Sequence, residues 1–251
     1  MNEECKKQIA DLVRKKVCEK LENYKSETVY APFFSAIFDR ETIVMASLMQ
    51  SLYTTFGMSI YEQMAVILAK DKGWIAERQY KLEGEIDIST EALIDSFCLS
   101  GKPNKMVEIE MIRDSIKQGE RFKHHEGIVD VYIRKPDGTE IFVDITTVKP
   151  NLKEFRSLRR KILRWAALRM STNKDAKVDT RIGIPYNPYH PEPYARWTGA
   201  ECDPAGDLLV QEELWHTFAG EDVFDDILDV FNEVGIEIKQ KVRGFISRAG
   251  E

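Results

Sequence analysis

Hydrophobic positions recur at helical intervals along some stretches of the chain and gather into short β-rich runs along others. Ile9, Leu12, Val13, Val17 and Leu21 fall among lysines and glutamates and predict an amphipathic helix over residues 3–26. Ala31-Pro32 breaks that pattern, and Phe33, Phe34, Ile37 and Phe38 read most simply as core. A second helical region covers about 40–72 and is interrupted near Gly57. Its later part is apolar around Glu62, which is either an exposed residue or a helix-borne functional acid. Residues 74–88 read as one or two strands. Ser89-Thr90 is expected to cap a helix over 91–99, and residues 105–118 form another.

From Gly127 to Lys149 two arms rich in Val, Ile, Tyr, Phe and Thr flank Pro136-Asp137-Gly138. That triplet suits a three-residue hairpin loop with Gly138 in the left-handed position. The loop pairs Lys135 with Thr139 and sets Asp130 opposite Asp144. Like charges on facing strand positions repel. Two readings stand: the acids screen each other on a solvated face, or both hold a divalent cation. Val129, Val131, Val143 and Ile145 favour a central strand pair, where an uncompensated carboxylate is costly. A one-residue slip would place the acids on opposite faces.

Beyond the hairpin, a helix over 152–170 carries Lys153, Arg156, Arg159, Arg160, Lys161, Arg164 and Arg169 against Glu154. Positions 156, 160 and 164 share a face. It is either a solvated surface or a phosphate-facing one. Residues 180–185 predict a short buried strand. The stiff segment from Tyr186 to Trp197 is either structural cover or a DNA contact, with Asn187 and Arg196 as candidate base readers. A last strand is expected at 208–210, followed by helices over 212–219, 222–234 and 237–248.

Composition narrows this little. The chain has 251 residues and a net charge of -6, and no apolar run reaches the length of a membrane span. Its polar beginning is no signal peptide, so the expected location is cytoplasmic. Cys5, Cys18, Cys98 and Cys202 lack the spacing of a zinc site or disulfide framework. His124 and His125 are adjacent in an extended segment, which favours loop or DNA-contact roles over zinc. No repeat or low-complexity linker appears, so one α/β domain with helical additions is expected.

The order of a helix bearing Glu62, a strand, the Asp130 and Asp144 strands, a basic helix and a strand resembles the PD-(D/E)XK nuclease core. Four stretches look like the TdeIII-type restriction endonuclease family: Thr55-Phe-Gly-Met-Ser-Ile-Tyr-Glu-Gln-Met-Ala65, Phe122-Lys-His-His-Glu-Gly-Ile-Val-Asp-Val131, Thr147-Val-Lys-Pro-Asn151 and Ile184-Pro-Tyr-Asn-Pro-Tyr189. Leu208-Leu-Val-Gln-Glu-Glu-Leu-Trp215 also fits. The resemblance implies a restriction-endonuclease-like α/β fold, a mixed sheet flanked by helices with helical additions at both ends. Residues 57–186 would form the core with a helical insertion at 89–118. Residues 1–56 would offer a dimer interface, and 187–251 a DNA-contact loop and helices.

By the same resemblance the protein is a homodimeric type II restriction endonuclease using Mg²⁺ to hydrolyse double-stranded DNA at a GGNCC-like palindrome. Asp130 and Asp144 become metal ligands, with Glu62 completing the shell or orienting a water. Thr146 stands where the family's lysine is expected, and it brings no charge. Lys149 and Lys123 are the candidates to replace it. Otherwise the chain binds DNA and cuts poorly, or is an inactivated variant. The rivals are a DNA-binding protein without turnover and a repair-type nuclease that reads structure.

Overall fold

The computed structural model describes residues 1–24, 31–99, 102–117, 119, 122–196 and 200–250. Helices begin where a short polar side chain satisfies the first free N–H groups. Asn2 accepts from the Cys5 N–H at 2.8 Å and opens α1 (Glu3–Asn23), whose Cys5, Ile9, Val13, Val17 and Leu21 form one buried stripe. Residues 25 and 26 of the expected helix lie outside the described residues.

A four-residue turn, α2 (Pro32–Ser35), precedes α3 (Arg40–Thr55), which Asp39 caps. The interruption foreseen at Gly57 is a π-helical turn over Phe56–Ile60, leading directly into α4 (Tyr61–Asp71). The aromatic cluster is a correction to the sequence reading. Phe33 is 83% exposed, Phe34 62% and Ile37 75%, so these side chains form a surface and not a core.

Strand β1 (Ile75–Asp87) runs into α5 (Ile88–Leu99) and α6 (Lys105–Ser115). The expected Ser89-Thr90 cap is supplied by Asp87, whose carboxylate accepts from the Thr90 N–H at 2.8 Å and from both hydroxyls. Then follow β2 (Phe122–Arg134), β3 (Glu140–Ile145), α7 (Leu152–Thr172) and β4 (Val178–Ile184). Strand β2 therefore begins five residues before the hairpin arm expected at Gly127. A short α8 (Pro204–Asp207) leads to β5 (Leu208–Val210), α9 (Glu212–Ala219) and α10 (Phe224–Gly250). The two final helices expected from the sequence are one. Buried Ile227, Val230, Val234 and Ile246 continue a single stripe past Gly235.

The strands form one mixed sheet in the order β1-β2-β3-β4-β5. The first three are antiparallel, and β3, β4 and β5 are parallel, with α7 crossing from β3 to β4. Helices α1, α3, α4, α9 and α10 cover one face with a core that includes Val131, Ile133, Ile141 and Val143. Helices α5, α6 and α7 cover the other, packing on Leu82, Ile86, Val129, Phe142 and Ile182. Helix α7 lies close against β1 because Gly84 has no side chain. A Cβ there would stand 2.7 Å from the Leu168 carbonyl oxygen and 2.5 Å from Ser171 Oγ.

Gly84→Ala is therefore expected to destabilise the protein by about 1–3 kcal/mol, since the opposing atom is backbone and moves only with the helix. A denaturant midpoint that is unchanged would show the helix to be looser than described.

Candidate active site

The hairpin loop sets the register foreseen from the sequence. Lys135 N–H donates to the Thr139 carbonyl at 2.9 Å, Gly138 N–H to the Lys135 carbonyl at 3.0 Å, and Gly138 takes φ +83°. The ladder then runs Arg134↔Glu140, Ile133↔Ile141, Tyr132↔Phe142 and Val131↔Val143. Asp130 and Asp144 come next. There the ladder gives way, and Asp130 Oδ2 accepts from the Ile145 N–H at 3.0 Å.

The other neighbour of β2 departs from regularity at the same level. Pairing with β1 passes from Arg78↔Val131 to Tyr80↔Val129, skipping Gln79 opposite Asp130. Gln79 has φ +50°, a left-handed conformation that costs a non-glycine residue energy. The inward alternation reverses across this point. Ala76 packs toward α4 but Leu82 toward α7, and Val131 toward α4 but Val129 toward α7. Asp130 thus sits at a kink shared by two strands, where its side chain escapes either packed core.

Asp144 is 5% exposed. Burial, then the Asp144 charge, push Asp130 from 3.8 up to about 7, while Lys161 opposes the shift. On the α4 side, Glu62 is buried, but its charge is answered. Arg78 reaches it with Nε at 3.0 Å and Nη2 at 2.8 Å, and Gln79 Nε2 donates at 3.2 Å. On the α7 side, the Lys161 ammonium contacts Asp144 Oδ2. Arg78, Gln79 and Lys161 were not singled out from the sequence as site residues.

The expected substitutes for the lysine lie elsewhere. Thr146 is buried and its hydroxyl donates to Glu154 Oε1 at 3.2 Å, joining the Asn151–Glu154 capping box at the start of α7. Lys149 Nζ lies 5.6 Å from the Tyr189 ring centre. Lys123 pairs with Ile86, seven residues up β2 from Asp130 and so roughly 20 Å away along the strand.

The arginines of α7 are paired with carboxylates of other segments, and one of them, Arg159, leaves the surface. Arg156 forms a two-pronged pair with Glu201 at 2.7 and 2.8 Å, and Arg164 one with Glu91 at 3.0 and 2.7 Å. Arg160 meets Asp95. Arg159 is 2% exposed and held by Glu108 and Asp207, so it faces the interior and no phosphate. These partners come from distant elements, which a local count of charges along the helix misses.

Asn187 closes its own loop, donating to the Glu192 carbonyl at 2.7 Å and accepting from the Tyr189 N–H at 3.0 Å. Arg196 donates to the Pro150 carbonyl at 2.7 Å. Arg196 thereby ties the loop to the residues just before α7, and Trp197 lies outside the described residues. His124 is exposed opposite Glu85. His125 Nε2 is 3.3 Å from Glu91, and burial lowers its pKa.

Among the described residues no three His, Cys, Asp or Glu side chains converge as a metal cage. Asp130 and Asp144 offer carboxylate oxygens alone, a donor set matching a hard cation that keeps most of its waters. The oxygens of Glu62 are already taken by Arg78 and Gln79.

A family model described as type II restriction endonuclease, HinfI, matches residues 1–235. The TdeIII-type resemblance read from the motifs and this match agree on the class of enzyme. Among individual proteins, the chain is 30% identical to the type II restriction enzyme MjaII of Methanocaldococcus jannaschii over 78% of its own length and 57% of that protein's. It is 22% identical to the type II restriction enzyme HgiCII of Herpetosiphon aurantiacus over 84% of this chain and 80% of HgiCII. HgiEI from the same organism is 22% identical over 84% and 81%. No helix among the described residues is long and apolar enough to cross a membrane.

The raised Asp130 carboxyl makes a stability prediction. The folded state holds its proton up to about pH 7, whereas the unfolded chain releases it near the ordinary 3.8. Folded protein therefore binds more protons between these values, and stability falls as pH rises through that window. Above about pH 7 the loss is complete. Asp130→Asn is expected to flatten this slope and, in chelator at pH 8, to raise unfolding free energy by roughly 1–3 kcal/mol. Denaturation at pH 4 and pH 8 checks it; equal slopes for the two proteins would contradict the assignment.

Proposed function

The chain belongs to the HinfI family of type II restriction endonucleases, and we propose that it cleaves double-stranded DNA with Mg²⁺ at a short GGNCC-like palindrome, acting as a homodimer. The observation that carries the cleavage reading is the closeness of Asp130 and Asp144 at the kink of the sheet, where burial and the Asp144 charge raise the Asp130 pKa, a cost a bound cation would relieve. Asp130 and Asp144 would hold the ion. When bound, it supplies Lewis-acid activation of water and charge neutralisation at the scissile phosphate.

The rest falls to the protein's own groups. Ile145 N–H orients the Asp130 carboxylate. Glu62, locked by Arg78 and Gln79, acts as a fixed negative charge behind the site and orients its surroundings without leaving the pair. The GGNCC-like site rests on the sequence resemblance, and the residues that read it are best sought outside Arg159, whose guanidinium is buried.

A palindromic target calls for two-fold symmetry. The exposed apolar surface of Phe33, Phe34, Ile37, Phe38, Met45 and Tyr53 on α2, α3 and the turn between them supports this part of the chain as the contact between copies.

Digestion of a sequenced phage DNA with Mg²⁺ is expected to yield discrete bands, absent with EDTA and absent with Asp144→Asn. Binding of duplex without any cutting would turn the reading to a DNA-binding protein without turnover, and a smear without bands to a nuclease that reads structure. For the dimer, Phe33→Asp with Phe34→Asp should halve the mass found by light scattering. A monomeric wild-type protein, with and without DNA, would remove the two-fold proposal.

A further inference from the structure

Three acids, Glu62, Asp130 and Asp144, surround the kink, and Glu62 alone has its countercharge on the sheet. The charge facing the other two comes from α7. We propose that Lys161 supplies, from the helix, the ammonium that Thr146 cannot supply from the strand, and that it acts on the scissile phosphate and the attacking water. The inference rests on the nuclease reading above and names a residue for it.

Position comes first. Lys161 Nζ touches Asp144 Oδ2 and the side chain as a whole is 39% exposed, so Lys161 stands at the border between the buried acids and solvent. An ammonium has three donors. The contact with Asp144 is an ion pair, and even a donor spent on that carboxylate would leave two for a phosphate oxygen and a water. The head is held as well: Nζ lies 4.9 Å from the ring centre of Trp165, which is 1% exposed and cannot turn away.

The phase of the helix is set independently. The Asn151–Glu154 capping box fixes where α7 starts, and Thr146 Oγ binds Glu154. Glu154 and Lys161 are seven residues apart, two turns along one face. Thr146, at the family's lysine position, thus anchors the face that carries Lys161. The alternatives are placed elsewhere, Lys149 on Tyr189 and Lys123 far up β2. The arginines at 156, 159, 160 and 164 are each engaged by carboxylates of other elements.

In the hydrolysis, a bond forms between the water oxygen and phosphorus as the opposite P–O bond breaks. The water's proton passes to solvent, and the departing oxygen takes one from solvent. Lys161 keeps its proton throughout. It orients the water and offsets charge growing on the phosphoryl oxygens.

The test compares wild type, Lys161→Gln and the double variant Lys161→Gln with Thr146→Lys on plasmid carrying a mapped site. Single-turnover cleavage in Mg²⁺, duplex affinity in Ca²⁺, Mn²⁺ binding by calorimetry and thermal melting are read together. Lys161→Gln is expected to lose on the order of 100-fold in rate. Its duplex affinity should stay within about threefold, and Mn²⁺ should bind as tightly or more tightly because a competing cation is gone. The double variant should regain at least about tenfold, which a merely structural lysine would not permit. If Lys161→Gln melts, Lys161→Met, which keeps an apolar stem of similar length beside Trp165, takes its place in the same comparison.

A rate within about fivefold of wild type overturns the inference, and so does a loss confined to duplex affinity with the saturated rate intact. Wild type that cuts no DNA in Mg²⁺ or Mn²⁺ overturns the nuclease reading itself, and the inference with it.

Discussion

Two carboxylates face each other inside a sheet because a three-residue loop fixes the register of one hairpin, and the surrounding structure answers that repulsion. The loop Pro136-Asp137-Gly138 brings Asp130 level with Asp144. Packing on both sides of β3 denies the pair the screening of bulk water, and the Asp130 pKa rises in consequence. Three local features lie on this spot: the left-handed Gln79, the buried Glu62–Arg78 pair and the Lys161 ammonium. Each places a polar group or a charge beside an energetically unfavourable arrangement. Such concentration of strain and buried charge is common where chemistry is done.

Helix α7 is the element whose placement must not vary, and a buried ionic cluster holds it. Arg159 joins Glu108 of α6 and Asp207 of α8, while Lys105 Nζ donates to Asp207 and to the Thr180 carbonyl, each at 2.9 Å. Desolvation offsets much of the attraction in such clusters, so their net stabilisation is small, but an unpaired member would be costly. The cluster therefore specifies geometry. It ties the inserted helices to the crossover that follows β3.

Much of this was legible in the sequence, because the signals involved are local. The hairpin register followed from Pro-Asp-Gly, the helix over 40–72 from its apolar spacing and the interruption from Gly57. What escaped was set by partners far along the chain. The arginines of α7 looked free since Glu201, Asp95, Glu91, Glu108 and Asp207 are remote in sequence. The reversal of facing at Gln79 leaves the composition of β1 unaltered, so alternation alone cannot locate it. Phe33 and Phe34 look like core by residue type, and only the fold reveals that no described residue covers them. A usable clue to Lys161 did exist, in the seven-residue spacing from the capping Glu154.

The pairing of those arginines also bears on how the protein meets DNA before it finds a target. Loose attachment to any duplex comes from cations displacing the ions condensed on phosphates. The chain has a net charge of -6, and four arginines of its most cationic helix are already paired with carboxylates of other segments. Each of these arginines would have to give up a carboxylate before taking a phosphate, so the helix would contribute less to such attachment than a count of its charges suggests.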